Sequence, residues 1–93
     1  MALSSRILLK GSEEEMGGGS SANGSNFNNA RLVRIINTHD HDLVVTLTET
    51  VGGSTIGSFT LMAFEYVELE KEPLNGLFAA SSGVRGLRIG FTN

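Results

Sequence analysis

The chain has 93 residues, a net charge of −3, 12 glycines, one proline, and neither cysteine nor tryptophan. This length allows one domain, and the missing cysteines exclude disulfides, a thiol nucleophile and Cys-based metal sites. The acidic balance argues against a nucleic-acid binder, which needs a basic face, and no apolar run approaches the roughly 20 residues of a membrane helix.

Residues 2–10, ALSSRILLK, form a short strand-like segment that cannot fold alone. The apolar run Ile7-Leu8-Leu9 is too brief for a secretory signal. Residues 11–29 read GSEEEMGGGSSANGSNFNN, with only Met16, Ala22 and Phe27 apolar. Such a composition reads as a flexible linker, because it offers little surface to offset chain entropy. A short apolar strand on a tether has two fates: it returns as an edge strand of its own domain, or it pairs with a neighbouring subunit. The residues expected to bind a partner are therefore Leu3, Ile7, Leu8 and Leu9 on the arm. Glu13, Glu14 and Glu15 form an acidic run that either docks a basic partner or is simply solvated.

From residue 30 onward the hydrophobic period is two rather than 3.6. Strands are expected at 31–36, 43–50, 54–61, 65–71, 77–80 and 84–92. Leu43, Val45 and Leu47 share one face of the second strand. Gly52-Gly53 marks a tight turn and Gly57 a bulge. In the fourth strand Val67 and Leu69 oppose Tyr66, Glu68 and Glu70. In the last, Leu87, Ile89 and Phe91 share a face. Phe59, Phe78 and Phe91 read as core, and Tyr66 and Phe27 as the aromatics available to a ligand. No window has helical periodicity. The fold class is all-β: a small antiparallel β-sandwich or barrel of six to seven strands with an extended N-terminal arm. The organisation expected is an arm strand (1–10), a linker (11–29) and a sandwich domain (30–93).

His39-Asp40-His41-Asp42 is the one local cluster of potential metal ligands. In an extended chain both histidines project from one side. A catalytic zinc site wants three protein ligands, and no further histidine exists to complete one. The segment reads as a polar hairpin loop in which Asn37, Asp40 and Asp42 satisfy backbone donors. Glu68 and Glu70 lie on one solvent face with nothing to split their pKa values, so they do not form an acid–base pair. The glycine run 17–19 lacks the lysine and strand–helix context of a phosphate loop. Arg31 with Arg34, and Arg85 with Arg88, are spaced so that each pair straddles a strand, which favours scattered salt bridges over a basic stripe. Neither a catalytic residue, nor a cofactor, nor a metal site is expected.

The order of signals from Ala30 to Asn93 resembles small virion proteins of tailed bacteriophages. The carrying segments are RLVRIIN (31–37), LVVTLT (43–48), a Gly-Gly turn, IGSFTL (56–61), VELEKEP (67–73), FAASSGV (78–84) and a final FTN. The resemblance covers about two-thirds of the chain and leaves out the arm and linker. It implies a non-enzymatic β-sandwich working as a structural brick: a capsid decoration or cement protein on the virion surface, made in the host cytoplasm. Its implied partners are the major capsid protein and neighbouring copies of itself, in a homo-oligomeric arrangement, with no nucleic acid or membrane involved. A neck, tail or fibre component and a small glycan- or protein-binding β module are the alternatives.

Overall fold

The structure is a computed structural model that describes residues 6–92, with Arg6, Phe91 and Thr92 as backbone alone. Eight strands form two antiparallel sheets: β1 (Arg6–Leu9), β2 (Glu14–Glu15), β3 (Leu32–Asn37), β4 (Leu43–Thr48), β5 (Thr55–Leu61), β6 (Tyr66–Glu70), β7 (Gly76–Ala79) and β8 (Val84–Thr92). The first sheet runs β1-β8-β3-β6, with β2 also on β8; the second runs β5-β4-β7. The six strands expected from the period-two pattern are all present, within one or two residues of the expected ends.

Alternation explains the packing. Val33, Ile35 and Asn37 of β3 are buried, whereas Leu32, Arg34 and Ile36 are half-exposed. Leu43 and Val45 of β4 point into the same core, joined by Leu61, Leu77, Ala79 and Val84. Val67 and Leu69 pack against this cluster, while Tyr66, Glu68 and Glu70 are exposed. The bulge falls where glycine suggested it: Leu47 pairs with Gly57 but Thr48 pairs with Thr55, leaving Ile56 as the extra residue. Gly52 takes φ 81° in the β4–β5 turn.

One expectation about a face changes, and another is sharpened. Phe78 lies opposite Thr46, one step out of phase with Leu77 and Ala79, so it belongs to the outer face of the second sheet. Leu87 and Ile89 are buried but outside the main core cluster. Leu87 pairs with Arg34, on the face turned away from the second sheet. The residues of β8 on the core side are Val84, Gly86 and Arg88, opposite Asn37, Ile35 and Val33 of β3.

The largest correction concerns residues 11–29, which do not behave as a free linker. Glu14 and Glu15 pair with Gly86 and Arg85, and Met16 donates its N–H to Val84 O at 2.7 Å. Met16 is fully buried in the core. The chain then crosses to the other sheet and covers the free edge of β7: Gly19 N–H donates to Ala79 O, and Ser25 and Leu77 exchange both backbone hydrogen bonds. A single 3₁₀ turn, Ser21–Asn23, lies between these contacts. The segment is a strap that closes one side of the sandwich. Composition misleads here because its polar backbone groups find partners on two strand edges, and these hydrogen bonds replace the burial its side chains cannot supply.

The strap ends in a left-handed turn. Phe27, Asn28 and Asn29 have φ of 53°, 60° and 59°, a conformation that costs most residues about 1–2 kcal/mol each and that asparagine tolerates best. Ala30 N–H closes the turn on Asn26 O at 3.2 Å, and Phe27 N–H donates to Ser25 Oγ at 2.9 Å. The strain is held by two contacts. The Phe27 ring is buried against Gly86, where any Cβ would meet the ring. The Lys71 ammonium lies within 2.7 Å of Ala30 O, 3.0 Å of Asn26 O, 3.3 Å of Glu72 O and 3.4 Å of Pro73 O. Lys71 is buried, and desolvation lowers its pKa to about 8.

Candidate functional site

Three surfaces carry the residues singled out above. The first is β1. Ile7, Leu8 and Leu9 pair with Phe91, Gly90 and Ile89 of the same chain, so the arm returns to its own sheet. These residues are nonetheless 39%, 45% and 70% exposed. Strand β1 ends the order of the first sheet, so its second edge is unpaired among the described residues. Leu3 lies outside the described residues.

The second surface is the acidic run, and each glutamate is already engaged. Glu13 Oε1 accepts from Arg85 Nε at 2.9 Å. Glu14 Oε1 accepts from Ser25 Oγ at 2.6 Å, and Glu15 Oε1 accepts from the Gly83 N–H at 3.0 Å. These contacts tie the strap to β8 and the β7–β8 turn. Each carboxylate of the run thus has a partner within the chain, which differs from both expectations, a simply solvated run and a docking site for a basic partner. The arginines follow the scattered pattern too: Arg31 pairs with Glu72 at 3.7 Å, and Arg34 stacks over the Tyr66 ring at 4.5 Å from its centre.

The third surface is the end of the sandwich where the loops 38–42, 62–65 and 80–83 meet. Buried Asn37 organises the first loop. Its Oδ1 accepts from His39 N–H at 2.9 Å, and its Nδ2 donates to His41 O and Leu61 O at 2.9 and 3.0 Å. Asp42 Oδ1 accepts from Ala63 N–H at 3.1 Å, joining the second loop to the first. His39 and His41 sit side by side, with ring centres 4.7 Å apart, as the extended-chain reading anticipates. Asp40 Oδ1 is 3.2 Å from His41 Nδ1, and this hydrogen bond holds the Asp40 carboxyl below its usual range. In the second loop, Phe64 is an exposed aromatic at φ 59°. Of the two aromatics proposed for a ligand, Tyr66 is 55% exposed, whereas Phe27 is buried in the core.

A fourth feature was not legible in the sequence. An open cleft between the β5 and β6 edges is lined by Leu47 and Ile56 on one side and Arg31, Glu70, Lys71 and Asn75 on the other. It is the side of the sandwich that the strap does not cover.

Comparison with protein-family models, with curated proteins and with solved structures finds no match for this chain. The functional reading therefore rests on the geometry above.

Proposed function

We propose that this chain is a non-enzymatic structural protein of a phage virion, a capsid decoration or cement protein that docks onto the major capsid protein lattice and onto neighbouring copies through β1. The observation that carries the reading is the exposure of Ile7, Leu8 and Leu9 on an edge strand. Monomeric β-proteins usually protect such an edge with charge, proline or a covering loop. A partner strand or apolar rim placed there gains main-chain hydrogen bonds and covers three aliphatic side chains. Repetition on a lattice turns a modest single contact into avid binding. The strap limits how the arm works: residues 10–16 are pinned along β8, so β1 serves as a docking edge in place rather than as a long swinging tether.

A small glycan- or protein-binding module is the second reading, supported by Tyr66 beneath the Arg34 guanidinium. Co-sedimentation of the full chain with empty capsids of the phage that encodes it separates the two. An Ile7→Asp/Leu9→Asp variant that keeps its circular-dichroism spectrum should lose capsid binding at least tenfold, while Tyr66→Ala should bind normally. Undiminished binding by the double variant overturns the docking role of β1. Loss with Tyr66→Ala alone favours the module.

A further inference from the structure

From the loop cluster at the end of the sandwich we infer a divalent transition-metal site formed by His39, His41 and Asp40, of the kind that takes Zn²⁺, Ni²⁺ or Cu²⁺. One candidate donor atom from each of the three residues lies within 4.8 Å of the other two. Two imidazoles with a carboxylate suit these borderline ions, and the remaining coordination positions are left to water or to a donor from another molecule.

Proximity alone would make a weak case, because exposed acidic and histidine side chains often lie close together. The stronger observation is how His39 is held. Its Nε2 is 2.6 Å from Ser82 O. A carbonyl can only accept, so Nε2 carries the proton and Nδ1 presents its lone pair. Histidine ligands of metal sites typically have this arrangement: the far ring nitrogen donates to a carbonyl or carboxylate, which sets the tautomer and the ring orientation. The partner comes from 43 residues away in the sequence, on the β7–β8 turn.

The ring's position is also built into the backbone. Gly83 takes φ 114°, and a Cβ there would collide with the His39 imidazole. Thr38 N–H and its hydroxyl both donate to Gly83 O, at 2.9 and 2.6 Å. Asn37 fixes the His39 N–H from below. His39 is thus half-buried and oriented before any ion arrives, while His41 and Asp40 are solvent-exposed and free to close on it. The closure required is modest. Donor atoms about 2.0–2.2 Å from a tetrahedral ion stand roughly 3.3–3.5 Å apart. The exposed His41 and Asp40 side chains can cover the difference by rotamer change.

The test is a Zn²⁺ titration of the untagged full-length chain, followed by calorimetry and by the imidazole NMR resonances. Expected is one ion per chain, with both histidine rings perturbed together and the affinity weakened at least tenfold in His41→Ala and in Asp40→Asn. Both changes are on exposed side chains and leave the fold intact. A Gly83→Ala variant, which displaces the His39 ring, should weaken binding as well, while Glu68→Gln on the opposite β6 face should not. The absence of saturable binding overturns the site. So does binding that survives in His41→Ala, or perturbation of His41 without His39.

Discussion

Residues 14–16 and residues 6–9 both pair with β8, yet the strap that the first of them begins and the strand that the second form are held in different ways. The strap is short of apolar residues, but Met16 is 0% exposed and Phe27 3% exposed. Strand β1 is almost wholly apolar, and all three of its described side chains remain exposed. Strand pairing fixes a backbone, whereas burial depends on what lies across the sandwich. The strap passes over the open side between the sheets and can drop two large side chains into the gap. Strand β1 lies beyond the reach of the second sheet and can only extend the first. Residues 14–30 therefore add to the buried core, whereas residues 6–9 leave an apolar surface exposed on the edge of the first sheet.

The sharpest way to break this comparison is truncation. Removing residues 1–29 deletes Met16, Phe27 and the cover over β7, so the remainder should fail to fold cooperatively. Removing residues 1–9 should leave a folded chain. A stable, cooperatively melting 30–93 fragment in thermal denaturation would show that the strap is dispensable. Point changes grade the same effect. Phe27→Ala should cost about 3–5 kcal/mol and Met16→Ala about 2–5 kcal/mol by urea denaturation. Phe27→Ala belongs at the upper end because the ring is also what holds a left-handed backbone against Gly86.

Lys71 comes next. Its ammonium serves four carbonyls of the strap turn and the β6–β7 connection, and Lys71→Met leaves those acceptors without their donor. The expected cost is about 1–3 kcal/mol, and it should vary with pH. Burial lowers the folded-state pKa from 10.5 to about 8, so between those values the unfolded chain binds more protons than the folded one. Stability from this group therefore rises with pH through that window. The gap between wild type and Lys71→Met should widen from pH 8 to pH 10. A narrowing gap would mean that the carbonyl cage favours the charged form more than burial disfavours it.

The sandwich from residue 32 onward was legible because a half-buried strand repeats every two residues, and Val33, Ile35, Leu43 and Val45 keep that beat without interruption. The strap was not legible. Its folding depends on hydrogen-bond acceptors and donors on β7 and β8, which are about 50 to 70 residues away and invisible to local composition. The signal available was sparse: two of the three apolar residues in 11–29 are the ones buried. The loop histidines were readable as a pair on one side, since spacing alone determines that. Their orientation was not, because it comes from Ser82 and Gly83 across the β7–β8 turn. The face of Phe78 is hidden from the sequence for a related reason. An isolated four-residue strand has two possible phases, and only the register with Thr46 selects one.

Strain offers a smaller test away from both regions. Phe64 is exposed at φ 59°, in a turn closed by Glu65 N–H donating to Met62 O at 3.0 Å. Nothing in its burial compensates a left-handed conformation. Phe64→Asn should raise stability by about 0.5–1 kcal/mol, because asparagine tolerates this region. Asn28→Ala, in the strap turn, should lower stability by about 1 kcal/mol for the converse reason. Both changes are measurable by urea denaturation against wild type. A destabilised Phe64→Asn would mean that the ring has a packing role its exposure conceals.

The smallest expected effect is the one that most sharpens the contrast between strap and arm. Leu9 is the most exposed large hydrophobic residue of the chain's described part, at 70%, and it lies opposite Ile89 at the inner end of β1. Leu9→Ser should change the unfolding free energy by no more than about 0.5 kcal/mol, as surface substitutions away from special features usually do. Its side chain has little left to lose, because folding did not remove it from water. Capsid binding should fall by several-fold in the same variant, since a partner is what would cover that surface. The two measurements together separate the roles. If Leu9→Ser instead destabilises the isolated chain as much as a strap substitution does, β1 belongs to the folding unit and its exposed edge is no longer an argument for docking.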